Sequence, residues 1–360
     1  MLVYFLAFFT ALLLVMFFTP SLIKVAELKN LNDEPDKERK LHKRKVPTIG
    51  GIIIFAGMLF SLSLWLSITF TNNIFDCRER FSDFSMIVTS SLVLFFVGVK
   101  DDIIGTAPIK KLIAHLLVAM VIVLMADIRI KTFHGILGIY ELPLWASIFL
   151  SLFTVVVIIN AFNLIDGVDG LAAGIGFIGS VTFGIWFSLA KEAVMATLAF
   201  SLAGSLLGFL YYNFSPAKIF MGDSGSLTIG LIMSILSLRM IDFHSLPMIS
   251  PLSDVCHPLF AVAILVYPLT DTLRIFIYRA LKGQSPFSAD RNHIHHRLQD
   301  FGYSHRQTST ILYLINLLMI LCTFFAKVLN PTLALFVLAG IAVVLFQIPF
   351  WLKRKSKPAT

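Results

Sequence analysis

Aspartates in three short stretches are the side chains of this sequence best suited to chemistry. Asp101 and Asp102 are adjacent in VKDDIIG. Asp166 and Asp169 alternate with glycines in NLIDGVDGLA, and Asp223 lies between glycines in IFMGDSGS. Clusters of carboxylate oxygens suit Mg²⁺ or Mn²⁺, ions that usually accompany phosphate substrates. Each stretch also has an ordinary interpretation: an interfacial helix end, an Asp-Gly turn and a helix N-cap.

Histidines form a fourth candidate cluster. His293, His295 and His296 lie in PFSADRNHIHHRLQDFG, close to Asp290 and Arg291. The stretch has neither HExxH spacing nor cysteine, which argues against zinc. Cationic and neutral imidazoles beside guanidinium groups favour a phosphate clamp. The alternative is a solvated basic loop that lies on lipid headgroups.

A membrane domain must position these side chains, because 57% of the 360 residues are hydrophobic and only 14% are charged. We predict an all-α integral membrane protein, with residues 1–352 as one domain and a short basic tail at 353–360. The first apolar run lacks the features of a cleaved signal peptide and is expected to be a retained helix. Pro268 is expected to kink the ninth span. The eleven predicted spans lie near residues 2–22, 49–70, 85–100, 110–127, 143–161, 171–190, 193–212, 219–238, 256–280, 308–328 and 331–352.

Basic residues predict the orientation of these spans. Lys and Arg are concentrated in the loops after odd-numbered spans and in the C-terminal tail, and such loops lie in the cytoplasm. The N-terminus is therefore expected outside, with all four polar clusters on the cytoplasmic face. The formal net charge of +8 reflects topology and anionic lipid, so no nucleic-acid partner is expected. Asp271 and Arg274, inside the ninth span, are expected to form a structural ion pair three residues apart.

Acids, histidines and basic groups at one membrane interface favour phosphoryl transfer between a soluble nucleotide and a lipid. A transporter is the rival interpretation, because intramembrane acids also serve ion coupling. Transporters, however, usually carry their ionisable groups near the middle of the bilayer. Clustering at one interface therefore favours the enzyme.

The stretches NAFNLIDGVDGLAAG, PAKIFMGDSGS and SPFSADRNHIHHRL resemble the polyprenyl-phosphate N-acetylhexosamine-1-phosphate transferases, a family that includes the phospho-MurNAc-pentapeptide translocase. The likeness runs from VPTIGG to HIHHRL. The translocase branch carries three consecutive histidines, whereas Ile294 interrupts the run here. The resemblance therefore favours the branch that uses UDP-N-acetylglucosamine and related sugars over the one that uses UDP-MurNAc-pentapeptide. Gly105 departs from the family's aspartate motif, which often has a further acid or polar residue.

The resemblance implies a Mg²⁺-dependent enzyme of the bacterial inner membrane whose site faces the cytoplasm. It would transfer a sugar-1-phosphate from a UDP-sugar to undecaprenyl phosphate, release UMP and begin a lipid-linked cell-envelope glycan such as O-antigen. A homodimer is also implied. The lipid phosphate is expected to attack the β-phosphorus in line, with a covalent aspartyl-phosphate route as the alternative.

Site residues follow from the same resemblance. Asp223 matches the metal-binding acid, and Asp102 is expected to share the metal. Asp101 and Asp102 match the catalytic aspartate pair, one of which would orient the acceptor or take its residual proton. The positions expected to bind substrate are Lys45, Asn160, Asn163, Asp166, Asp169, Asn213, Phe220, Asp290, Arg291, His293, His295 and His296.

Overall fold

The computed structural model describes residues 1–29, 32–33, 46–70, 77–243, 255–283 and 292–351, with the backbone alone at 32–33, 68–70 and 77–81. Helices dominate this part of the chain, which also has one short β-pairing and an isolated bridge between Thr132 and Glu141. The helices are α1 (Leu2–Leu28), α2 (Gly50–Phe70), α3 (Cys77–Ile104), α4 (Pro108–Met120), α5 (Leu144–Ile165), α6 (Leu171–Leu189), α7 (Ala193–Asn213), α8 (Gly222–Ile241), α9 (His257–Ile264), α10 (Val266–Leu281), α11 (Ile294–Asp300), α12 (His305–Ala326) and α13 (Pro331–Trp351). A turn of π-helix, Val121–Met125, extends α4.

Ten of these helices are long and apolar enough to cross a membrane, and the pair α9 and α10 would form one more broken span. The prediction of about eleven spans in an all-α membrane protein is confirmed. Helix α8 lies at the centre, because 94% of its most apolar window is buried, whereas α1 has 22% of its window buried and borders the bilayer. The protein is therefore a multi-pass membrane protein built around α8.

The break between α9 and α10 confirms the kink expected from Pro268. The two helices meet at an angle of 79°. Proline has no N–H to donate to the carbonyl four residues earlier, which is that of Ile264. The side chain of Asn316 in α12 replaces it: Nδ2 donates to Ile264 O at 3.0 Å, and Oδ1 accepts from Tyr267 N at 3.4 Å. This buried amide thus hydrogen-bonds both backbone groups that the break leaves without a partner in the helix.

A short extended segment ties the start of α2 to the segment that precedes α8. Val46 and Pro47 pair antiparallel with residues 32–33. Phe220 N donates to Pro47 O at 2.7 Å, and Gly50 N donates to Phe220 O at 2.9 Å. Phe220 is thus held by its backbone on both sides, directly before α8 begins.

The polar stretches meet at one end of the helix bundle. The carboxyl ends of α3 and α5, the amino ends of α4 and α8, and the short helix α11 all contribute to this end. The described parts of the loops that follow the third, fifth, seventh and ninth spans therefore lie together. This agrees with the prediction that loops after odd-numbered spans share one side of the membrane. The cavity described next lies among them.

Candidate active site

Four carboxylates and one ammonium, those of Asp101, Asp102, Asp166, Asp223 and Lys111, form a cluster that we term the acidic wall. Lys111 and Asp166 of this cluster line a cavity. Lys111 Nζ lies 2.7 Å from Asp101 Oδ2 and 2.5 Å from Asp223 Oδ2. The lysine reaches both acids because α4 restarts at Pro108, directly after the turn that ends α3. A single cation thus bridges acids that are 122 residues apart in the sequence.

Asp102 caps the amino end of α8. Its Oδ1 accepts from Asp223 N at 2.7 Å, and its Oδ2 accepts from Ser224 N at 3.1 Å. A negative charge suits the unpaired N–H groups at a helix start. Gly222 has a φ of +71°, and a Cβ there would lie 2.7 Å from both Asp102 oxygens, so this junction requires glycine. The metal-binding role predicted for Asp102 stays a prediction, and both of its oxygens already serve α8.

Asn163 completes the surroundings of Asp223. Its Nδ2 donates to Asp223 Oδ1 at 3.0 Å and to Ser226 Oγ at 3.1 Å. Asn160, one turn earlier in α5, donates to Val156 O at 2.7 Å. Both asparagines line the cavity, where they were predicted to bind substrate.

The two acids of NLIDGVDGLA point to different surroundings. Asp166 lines the cavity, and its carboxylate accepts a hydrogen bond from the backbone of Gly222. Burial, followed by repulsion from the nearby carboxylates, raises the pKa of Asp166 well above its usual range. Asp169 is 4% exposed, accepts from Ala217 N at 3.1 Å and lies 3.2 Å from His305 Nδ1. Only Asp166 is therefore placed among the acids of the site.

Asn213 braces the loops around the acidic wall. It is buried, its Oδ1 accepts from Gly170 N at 3.0 Å, and its Nδ2 donates to Ile219 O at 2.9 Å. These bonds join the loop after α5 to the segment that carries Phe220. Phe220 itself is half-buried beside the start of α8. The predicted contacts of Asn213 and Phe220 with substrate stay predictions.

A second cluster, which we term the histidine wall, consists of His293, His295 and His296, which line the cavity, with Asp271 and Tyr267 in contact with them. Asp271 is fully buried and accepts from His293 Nδ1 at 2.7 Å. Tyr267 Oη lies 3.1 Å from His295 Nδ1. The ring centroids of His295 and His296 are 4.3 Å apart. Helix α10 therefore supplies a different hydrogen-bond partner to each of two histidines.

The ion pair expected between Asp271 and Arg274 is replaced by longer-range contacts. Asp271 takes its hydrogen bonds from His293 and from Ile294 N, the latter at 2.8 Å. Arg274 donates to the carbonyl of Asn292, and its guanidinium lies 3.5 Å from the ring centroid of Phe350. The approach of residues 292–294 to α10 thus decides the pairing.

His295 differs from an ordinary surface histidine. It is 1% exposed, and burial lowers its pKa to about 3, although Asp271 nearby opposes this shift. A Cβ on Gly167 would lie 3.1 Å from His295 Nε2, so the loop after α5 fits closely against this ring. The neutral ring can donate or accept one hydrogen bond but adds no charge.

The cavity that residues of both walls line has a volume of about 850 Å³. Its polar end includes Lys111, Asp166, the three histidines and Arg279, which is 3% exposed. Its flank is apolar and lies between α5 and α10. The apolar lining residues are Leu112, Phe153, Val156, Val157, Leu164, Leu269, Leu273 and Phe276.

A divalent cation fits the acidic wall. Asp101 Oδ1 is buried and has no hydrogen-bond partner, while Oδ2 and the Asp223 carboxylate share the ammonium of Lys111. Carboxylate oxygens are the ligands that Mg²⁺ prefers. Asp101 and Asp223 are therefore the residues with oxygens placed to hold the ion.

Several cavity residues escaped the sequence analysis. Lys111 and Arg279 are basic residues near span ends, where positive charge is expected for topology alone. Behind the cavity, Tyr267 belongs to an apolar run and gave no signal, whereas Asp271 was predicted only as half of a structural ion pair, although an acid at membrane depth can indicate a function. Three residues that were predicted to bind substrate, Lys45, Asp290 and Arg291, lie outside the described residues.

Comparison with known proteins identifies the family. The sequence pattern of glycosyl transferase family 4 matches residues 84–241, which include the acids of the acidic wall. A probable undecaprenyl-phosphate N-acetylglucosaminyl 1-phosphate transferase of Bacillus subtilis (strain 168) is 32% identical over 98% of this chain and 94% of its own length.

The chain belongs to glycosyl transferase family 4. The undecaprenyl-phosphate alpha-N-acetylglucosaminyl 1-phosphate transferase of Escherichia coli (strain K12) is 30% identical over 91% of this chain and 84% of its own length. The decaprenyl-phosphate N-acetylglucosaminephosphotransferase of Mycobacterium leprae (strain TN) is 32% identical over 77% and 72%. The resemblance found in the sequence is thus confirmed, and the protein is a membrane transferase of this family.

Proposed function

We propose that the protein transfers N-acetylglucosamine-1-phosphate, or a related N-acetylhexosamine-1-phosphate, from a UDP-sugar to undecaprenyl phosphate and releases UMP. This would be the first membrane step of a lipid-linked envelope glycan. The observation that carries the proposal is the mixed character of the cavity, which has charged groups at one end and an apolar flank. A phosphate ester of a long hydrocarbon needs both surfaces.

The apolar flank would receive the first isoprene units of the acceptor. Phe153 of α5 and Leu273 of α10 are 59% and 61% exposed, so the flank reaches the lipid-facing surface of the bundle. Burial of hydrocarbon against such side chains is favourable by about 25 cal/mol per Å². The acceptor could enter from the bilayer with its phosphate leading.

The polar end would bring three phosphate groups together. Asp101 and Asp223 would hold Mg²⁺, which when bound supplies charge neutralisation for the diphosphate of the donor. Lys111 and Arg279 add two cationic side chains, and the three histidines of the histidine wall line the same cavity. Positioning and charge stabilisation account for most of phosphoryl-transfer catalysis.

The proposed reaction is an in-line displacement. An oxygen of the lipid phosphate bonds to the β-phosphorus of the donor, and the bond between that phosphorus and the oxygen bridging to UMP breaks. The second pKa of a phosphate monoester is about 6, so the acceptor is largely dianionic at pH 7 and hardly needs a general base. Asp102, whose oxygens are occupied at the start of α8, would position Asp223.

We further propose that the cavity faces the cytoplasm of a bacterial inner membrane, with the N-terminus outside. The excess of Lys and Arg in the loops at this end supports that orientation. Soluble UDP-sugars are made in the cytoplasm, so the charged end would meet its donor there.

A panel of donors tests the function. Purified protein in detergent receives undecaprenyl phosphate, Mg²⁺ and one UDP-sugar at a time, and UMP release is measured. We expect release with UDP-N-acetylglucosamine or a related UDP-N-acetylhexosamine, and none without the lipid phosphate. Release with UDP-MurNAc-pentapeptide alone would move the protein to the translocase branch. If no donor gives UMP, the proposed function is wrong, and a flux assay in proteoliposomes would then examine transport.

A further inference from the structure

The fully buried carboxylate of Asp271 has no part in the reaction described above. It lies on α10, two turns from Arg279, and both of its oxygens point to the segment that begins the histidine wall. Oδ2 accepts from His293 Nδ1 at 2.7 Å, and Oδ1 accepts from Ile294 N at 2.8 Å. A buried carboxylate is costly unless it is hydrogen-bonded, and here each of its oxygens accepts a hydrogen bond.

Its bond to Nδ1 decides what His293 can offer to a ligand. His293 lines the cavity although it is only 5% exposed. Because Nδ1 is engaged by the carboxylate, Nε2 is the one ring nitrogen left to meet a bound group. A carboxylate behind an imidazole fixes the ring orientation and the position of its proton, as in carboxylate–histidine pairs elsewhere.

His295 provides an internal contrast. Its Nδ1 contacts the neutral hydroxyl of Tyr267 at 3.1 Å, and burial lowers its pKa to about 3. Tyr267 and Asp271, one turn apart on α10, thus give these two neighbouring histidines partners of different charge. Of these two histidines, only His293 has an anionic partner on α10.

We propose that Asp271 is a positioning residue that acts through His293 and presents Nε2–H of a doubly protonated ring to a phosphate group in the cavity. The ring would lie between two anions, the carboxylate at Nδ1 and a phosphate oxygen at Nε2. This inference rests on the proposed function for the identity of the phosphate. The alternative role for Asp271 is structural, since its bond to Ile294 N also caps α11.

A double-mutant cycle separates the two roles. Asp271→Asn keeps the shape of the side chain and an acceptor oxygen for Ile294 N but removes the charge. We expect it to lower kcat for UMP release by about 10- to 100-fold, as for other residues that orient a ligating side chain. In a His293→Gln background the same change should have less than about twofold effect, because the interaction is already lost.

Equal effects of Asp271→Asn in both backgrounds would overturn the proposal and leave a structural role. Asp242→Asn, at the far end of α8, is the matched control and should retain full activity. If the unmodified protein releases UMP and the cycle is additive, only this inference fails. If the unmodified protein releases no UMP from any donor, the proposed function fails instead.

A spectroscopic measurement does not depend on how well Asp271→Asn folds. The unmodified protein, with its nine histidines labelled with ¹⁵N, is compared with and without UDP, and the His293→Gln spectrum identifies the signal. We expect both nitrogens of His293 to be protonated when UDP is bound. A His293 ring that carries a single proton in the presence of bound UDP would overturn the proposal.

Discussion

The acidic wall and the histidine wall contribute to the same cavity but differ in their balance of acidic and basic groups. In the acidic wall, four carboxylates share one ammonium, that of Lys111, which contacts Asp101 and Asp223, so acids outnumber cations. In the histidine wall, the one carboxylate of Asp271 is fully buried and accepts from one backbone N–H, that of Ile294, and one imidazole, that of His293. The first arrangement calls for a metal ion, whereas the second can meet an anion without one. The cavity can thus hold phosphate groups from both sides.

The two walls also differ in how the chain builds them. The acidic wall comes from the carboxyl ends of α3 and α5 and the amino ends of α4 and α8, and Asp102 accepts from unpaired N–H groups at the start of α8. The histidine wall depends on the break before Pro268, which frees α10 to carry Tyr267 and Asp271 beneath the histidines. Four predictions, which use five substitutions, test this contrast, from the largest expected effect to the smallest.

Loss of the central acid should have the largest effect. Asp223→Asn removes the carboxylate that Lys111 and Asn163 share, and we expect kcat for UMP release to fall by about 10²- to 10³-fold. The variant should remain folded, as judged by its elution in detergent. Asp242→Asn, at the other end of the same helix, should be as active as the unmodified protein. Comparable losses in both variants would contradict a local role.

The adjacent acids Asp101 and Asp102 should separate metal binding from helix capping. Asp101→Asn should weaken Mn²⁺ binding, measured by electron paramagnetic resonance, because Oδ1 is the unpartnered buried oxygen. Asp102→Asn should leave Mn²⁺ affinity nearly unchanged and lower the stability by about 1 kcal/mol, since it weakens the cap of α8. The reverse pattern would make Asp102 the metal ligand.

Asp169 should act on stability rather than on the chemical step. Asp169→Asn weakens the link to Ala217 N and to His305, and the expected loss is about 1 to 3 kcal/mol of unfolding free energy. Mn²⁺ affinity should be unaffected, in contrast to Asp101→Asn. A large loss of Mn²⁺ binding with unchanged thermal stability would place Asp169 in the metal site after all.

The smallest effect concerns pH. The pKa of His295 is about 3 in the folded protein, below the value of about 6.5 expected when unfolded. As the pH falls through about 6.5, His295 takes up a proton in the unfolded chain, whereas in the folded chain it does so only near pH 3. Between these two pH values, protonation therefore favours the unfolded chain, and folding stability falls as the pH is lowered. His295→Gln should show a shallower loss of thermal stability between pH 7 and 4.5. An unchanged slope would mean that His295 is not buried in the neutral form.

Much of the fold could be predicted from the sequence, because apolar runs and their basic flanks indicate the membrane spans and Pro268 indicates the break in the ninth span. The acids of the site were also evident, since carboxylates at membrane depth are costly. The opposed directions of Asp166 and Asp169 could not be predicted, because the glycine-rich loop between them permits many conformations. The pairing of Asp271 with His293 depends on a contact across 22 residues, which no local pattern encodes.

One labelling experiment tests the central claim that a sugar phosphate passes from a nucleotide to a lipid phosphate within this cavity. The protein is given UDP-N-acetylglucosamine labelled with ³²P at the β-phosphate, together with undecaprenyl phosphate and Mg²⁺. We predict that the label enters the lipid fraction in a one-to-one ratio with UMP release, and that Asp223→Asn lowers both by about 10²- to 10³-fold. Label that stays in the aqueous phase as UDP, or transfer at an undiminished rate in Asp223→Asn, would contradict the account.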